Sequence, residues 1–133
     1  MTDDEFWHLI GLFDWEKHSD AQSSVLVIQP AVDALSSLSI EEIHGFENIL
    51  AEKLYALDTE AHAREIGESA YINDEEHFSV DLFLYARCCV VANGPEFYSS
   101  VLTDPAEFPE DIDFEILLTV ADRAIKKKTG RDY

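Results

Sequence analysis

The chain has 133 residues, 47% of them hydrophobic, and carries 28 Asp and Glu against 9 Lys and Arg, a net charge of −19. That length suits one domain with an ordinary core, the apolar content excludes disorder throughout, and no apolar run approaches the roughly 18 residues of a membrane span. A surface this acidic repels nucleic acid and anionic lipid, because phosphate binding depends on Lys and Arg, and attracts cations or a basic protein.

Phe6, Leu9, Ile10 and Phe13, at i, i+3, i+4 and i+7, predict a first helix opening at Asp3 or Asp4, with acids in its first turn where the helix dipole favours them. A polar connection over residues 14–20 ends in Ser19-Asp20. Residues 21–37 carry Val25, Leu26, Ile28, Val32 and Leu35 at near-helical spacing. The run Val25–Ile28 also suits a buried strand, but no second strand candidate exists to pair with it, so a helix kinked near Pro30 is expected. Ser39 and Glu42 have the spacing of a capping box, and the helix that follows runs to about Leu57 along a seam of Ile43, Phe46 or Glu47, Leu50, Leu54 and Leu57. Residues 58–70 are polar, with room for a short helix around Ala61, Ala63 and Ile66.

The acidic loop from Ile72 to His77 leads into the stretch that organises the prediction. Between Ser79 and Gly94 only Asp81, Arg87 and Asn93 are clearly polar, which predicts a helix over residues 80–93 buried on nearly all sides. Ser79 is its N-cap, and Gly94 in a left-handed conformation ends it ahead of Pro95. Arg87 shares a face with Val80, Phe83, Leu84 and Val91 and lies about 240° round the helix from Asp81, beyond pairing with it. A carboxylate on another helix is therefore expected to meet Arg87, and Asp81, Arg87 and Gly94 are read as structural. Residues 96–102 make two further turns, Asp104-Pro105 and Pro109 mark an irregular loop, and a last helix starts at Asp111 or Asp113 and closes at Gly130. The class is all-α: five to seven helices in a single domain over residues 1–133, packed around helix 80–93.

Charge and cysteine usage narrow the setting. Residues 1–122 hold 27 acids and 4 bases, a net of −23, whereas Arg123, Lys126, Lys127, Lys128 and Arg131 crowd the end. The opening Met1-Thr2-Asp3-Asp4-Glu5 is acidic where a secretory signal is basic. The two cysteines are adjacent and cannot staple distant segments, so a reducing, cytoplasmic location is expected.

Several groupings resemble chemistry. Glu5-x-x-His8 and Glu41-x-x-His44 each place a carboxylate and an imidazole on one helical face, as in di-metal carboxylate sites of helical bundles. Both fall in first turns, where acids serve capping and the dipole, so no metal site is expected of them. His62-x-x-Glu65 and the cluster Asp74, Glu75, Glu76 and His77 read as solvated faces. Cys88 and Cys89 point about 100° apart on a helix and read as packing. There is no Gly-rich phosphate loop, no GxSxG and no CxxC, so neither catalytic residues nor cofactors are expected.

Phe6-Trp7-His8-Leu9-Ile10, the element Leu38-Ser39-Ile40-Glu41-Glu42-Ile43-His44-Gly45-Phe46, the helix residues Ser79, Asp81, Phe83, Tyr85, Arg87 and Gly94, then Glu96, Tyr98, Leu102, Asp104 and Pro105, and the closing Lys128-Thr129-Gly130 resemble a family of small bacterial helical domains of unknown function. The resemblance covers nearly the whole chain and implies a fold rather than an activity. It departs in residues 58–70, where the family carries Asp-Leu-Trp-Ala-Ala, and at Asp74–Phe78, which stand where the family has Gly-Gly-Cys.

The charge supports a non-enzymatic binding protein that meets a basic protein partner, of the kind an immunity protein meets in a cationic nuclease toxin. The expected interface is Glu60, Glu65, Glu68, Asp74, Glu75, Glu76, Glu107, Glu110, Asp111 and Asp113, with Tyr71, Phe78 or Phe108 as the apolar anchor that charge alone does not supply. The alternative is a helical metal-binding or di-metal carboxylate domain built on Glu5, His8, Glu41 and His44.

Overall fold

The computed structural model describes residues 1–17 and 24–130. The expected connection through Ser19-Asp20, the start of the second predicted helix and Arg131 lie outside the described residues. The protein is all-α. Its helices are α1 (Asp3–Ile10), α2 (Ser24–Ser36), α3 (Ile40–Ala56), α4 (Glu60–Ala63), α5 (Val80–Ala92), α6 (Pro95–Thr103) and α7 (Val120–Thr129), with no strand among the described residues. The chain gathers into two compact units, Met1–Ala51 with Ile116–Tyr133, and Glu52–Glu115.

In the first unit Phe6, Ile10, Ile28, Leu35, Ile43 and Phe46 are fully buried or nearly so, and Phe6 lies between Trp7 and Phe46 with ring centroids 5.1 and 5.0 Å away. Helix α1 opens on a complete capping box: Thr2 Oγ1 accepts from the Glu5 amide at 3.1 Å, and the Glu5 carboxylate accepts from the Thr2 amide at 3.2 Å. Helix α2 continues unbroken through Pro30. The lost proline N–H leaves the Leu26 carbonyl without its helical donor, and Leu26 is an exposed position where water can serve it. Helix α2 packs on α7, and the Lys127 ammonium bonds the Asp33 carboxylate. That bond, with a second from Gln29, holds Asp33 below the usual carboxylate range.

In the second unit Leu57, Phe83, Cys88, Val90, Val91 and Val101 form the core. Helix α5 begins on Ser79, whose hydroxyl accepts from the Leu82 amide at 3.2 Å. From Phe83 onward its residues are buried, except Leu84, Tyr85 and Cys89, which are half-buried. The first turn is different: Val80 is 69% and Leu82 46% exposed. Gly94 has positive φ, as expected, but at φ +103° and ψ 172° it is extended rather than helical, and it serves as the N-cap of α6. The Tyr98 hydroxyl donates to the Lys53 carbonyl at 2.8 Å, tying α6 to the last turn of α3.

The last helix starts later than expected. Asp111 has φ +56°, which breaks any helical run there, and the Phe114 amide donates to the Tyr85 carbonyl at 3.0 Å. A 3-10 turn over Glu115–Thr119 precedes α7, and Gly130, left-handed at φ +75°, closes it by donating to the Lys126 carbonyl at 2.7 Å.

Candidate functional site

Residues 52–115 hold sixteen Asp and Glu against Lys53, Arg64 and Arg87, a net of −13, so one packed unit carries most of the chain's −19. Glu60, Glu65, Glu68, Asp74, Glu75, Glu76, Glu107, Glu110, Asp111 and Asp113 are all exposed. The acidic loop is ordered locally: Asn73 Oδ1 accepts from the amides of Glu75 and Glu76 at 2.9 and 3.0 Å, and the Tyr71 hydroxyl donates to Asp74. That bond raises the phenol above its ordinary range. Arg64 is engaged by its neighbours, pairing with Glu60 at 3.3 Å, donating to the Ile72 carbonyl at 2.9 Å and lying 5.0 Å from the Tyr71 ring centroid.

A hydrogen-bonded junction joins the two acidic segments that flank α5 in sequence. The Asp111 amide donates to the Ile66 carbonyl at 3.0 Å, and Asp111 Oδ1 accepts from the Glu68 amide at 2.9 Å. Asp111 is thus a fastening between segments rather than a free carboxylate. Gly67, at φ +102°, lies under it with no space for a side chain.

Phe108 is not an anchor. It is 4% exposed and packs against His62 and Phe83, with centroids 6.3 and 6.5 Å away. Tyr71 and Phe78 are half-buried against each other at 5.6 Å. Ile72, Val80 and Leu82 do reach the surface of this acidic unit, as do Tyr55 and Leu102. Ile72, alone in a polar loop, was the one visible signal of them in the sequence. His62 is also structural, because one tautomer satisfies both ring nitrogens: Nε2–H donates to the Val101 carbonyl at 2.9 Å and Nδ1 accepts from the Thr59 hydroxyl at 2.6 Å. Asp81 is exposed in the first turn of α5, where the dipole favours it.

The second unit also contains a cavity of about 390 Å³, lined by Asp58, Thr59, Glu60, Ala63, Tyr71, Phe78, Val80, Phe83 and Arg87. Arg87 corrects the expectation of a buried ion pair. Among the described residues it has no carboxylate partner; its Nη1 donates to the Leu54 carbonyl at 2.8 Å and its guanidinium lies 4.4 Å from the Phe83 centroid. Leu54 is in the last turn of α3, so the negative end of a helix and an aromatic face stand in for the missing carboxylate. Burial lowers the pKa of Arg87 from its ordinary value, with Asp58 opposing that shift. Among the described residues its Nε has no hydrogen-bond partner.

A family model described as "Protein of unknown function (DUF4240)" matches residues 1–127. The chain belongs to the DUF4240 family. No curated protein and no solved structure matches it.

In this DUF4240 protein the Glu-x-x-His pairs stay local to their helices. The Glu5 carboxylate is held by the Thr2 amide, which lowers its pKa, and the Glu42 amide donates to Ser39 Oγ at 3.1 Å, so both helix starts are occupied with capping. Among the described residues no three His, Cys, Asp or Glu side chains gather as a metal would require, and Glu5, His8, Glu41 and His44 do not converge. The adjacent thiols are free, and burial pushes them up to about 12 at Cys88 and about 11 at Cys89. A thiol raised that far is mostly protonated at pH 8; allowing for the greater nucleophilicity of its thiolate, disulfide reagents should attack the native DUF4240 chain at least ~20-fold more slowly than the urea-unfolded chain. Equal rates in a stopped-flow thiol assay would contradict the burial of Cys88 and the partial burial of Cys89.

Proposed function

We propose that the protein is a non-enzymatic binding protein whose acidic unit meets a basic protein, in the manner of an immunity protein occluding the active site of a cationic, nuclease-like toxin. The observation that carries this reading is the Gly67–Asp111 junction. It fastens segment 58–77 to segment 104–115, so Glu65, Glu68, Asp74, Glu75, Glu76, Glu107, Glu110 and Asp113 belong to one folded surface rather than two separate runs. Such a field hastens encounter with a cationic partner and opposes polyanions. Exposed Ile72, Val80 and Leu82 supply the apolar contacts that hold a partner once charge has brought it in. Two free thiols suit a cytoplasmic setting. Helices long and apolar enough to cross a membrane are absent among the described residues.

The reading predicts that a basic partner captured from the native host loses about tenfold or more in affinity between low and high salt, mostly through slower association. Charge reversal at Glu75 and Glu76 should slow association further, and Ile72→Asp should speed dissociation, both read by surface plasmon resonance. An affinity indifferent to ionic strength contradicts the proposal.

A further inference from the structure

The cavity beside Arg87 has a composition that an acidic docking surface does not require. Arg87 is 8% exposed, yet its Nε has no partner, and Nη1 is already taken by the Leu54 carbonyl. Of the five guanidinium N–H donors only that one is assigned to a protein acceptor among the described residues, and a guanidinium lining a cavity with donors to spare is suited to a carboxylate. From Arg87 an aromatic row continues through Phe83 (4.4 Å from the guanidinium), Phe78 (5.8 Å from Phe83) and Tyr71 (5.6 Å from Phe78). Asp58 and Glu60 line the same space. They disfavour phosphates and dicarboxylates, and they suit a ligand that carries an ammonium beside its carboxylate. About 390 Å³ is at the small end of ligand sites, roughly 300–1,000 Å³, which fits a single compact molecule.

We propose that this cavity binds a free α-amino acid with a bulky apolar side chain: Arg87 takes the carboxylate, Asp58 and Glu60 the ammonium, and the aromatic row the side chain. The cavity shares Glu60, Tyr71, Phe78 and Val80 with the expected partner surface, but Arg87 and Asp58 belong to the cavity alone, so their substitution and titration with the amino acid can fail while the salt dependence of partner binding holds.

Isothermal titration of the full chain tests the assignment with four probes: L-phenylalanine, 3-phenylpropanoate lacking the ammonium, 2-phenylethylamine lacking the carboxylate, and inorganic phosphate. L-phenylalanine is expected to bind one-to-one, each truncated analogue about tenfold or more weaker, and phosphate not at all. Asp58→Asn, at an exposed position, should weaken L-phenylalanine about tenfold while leaving 3-phenylpropanoate unchanged, which a purely structural role would not do. Arg87→Met, confirmed folded by circular dichroism, should abolish binding of both carboxylates. No saturable heat from L-phenylalanine up to about 10 mM, phosphate binding as tightly as the amino acid, or affinity unaltered by either substitution overturns the proposal.

Discussion

Arg87→Ala should destabilise the fold by about 2–4 kcal/mol, and Arg87→Met by less than about 1.5 kcal/mol, in urea titrations followed by circular dichroism. Alanine removes a long buried stem from between Phe83 and the end of α3, leaving a void and stripping the Leu54 carbonyl of its donor. Methionine refills most of that volume with a flexible apolar chain and removes a charge that no carboxylate pairs with among the described residues. The contrast separates packing from charge. Were Arg87 the centre of an ion pair, methionine would orphan a buried carboxylate and cost at least as much as alanine. An alanine variant with an unchanged midpoint would show that the stem is not part of the core.

Gly67→Ala should cost about 2–4 kcal/mol, through strain at an unfavourable φ together with a steric collision. At φ +102° any L side chain is strained, and a Cβ there would run into the Asp111 carboxylate and stand 2.9 Å from the Asp111 amide nitrogen. Those are the groups that bond Glu68 and Ile66, so relieving the collision means breaking the junction between the two acidic segments. The substitution should therefore speed hydrogen exchange at the Glu68 and Asp111 amides more than at Phe6 or Phe46 in the other unit. Uniform protection with native stability would contradict the fastening role.

What could be read from the sequence follows the range of each interaction. Ser79 before an apolar run, Pro95 after it and Ser39 three residues before Glu42 are local signals, and α5 and α3 begin where those residues place them. Thr2 and Glu5 carried the same capping signal, but Asp3 and Asp4 looked like sufficient helix starts and obscured it. Asp111 misled for the opposite reason: locally it resembles an N-cap, while its carboxylate is committed to an amide 43 residues away. Arg87 posed the same difficulty. Its partner is a backbone carbonyl, which no residue type announces. Phe108, set among prolines and acids, looked exposed, and only its packing on His62 and Phe83 shows otherwise. The acids of the candidate surface were legible because charge is legible, but the cavity was not, since Thr59, Tyr71, Phe78 and Arg87 meet there from three separate stretches.

Gly94 and Gly67 both adopt positive φ, yet they exclude side chains for different reasons. Around Gly94 the space is open, and nothing lies within 4 Å of where a Cβ would stand. What bars a side chain there is handedness alone: φ +103° with ψ 172° is the mirror image of an ordinary extended residue. In a chemically synthesised chain a single D-alanine would adopt this dihedral without backbone strain, and would reduce the freedom of the unfolded chain at that point. At Gly67 an L side chain meets both obstacles, the dihedral and the Asp111 carboxylate. The turn between α5 and α6 is therefore one of stereochemistry, and the junction beneath Asp111 is one of volume as well.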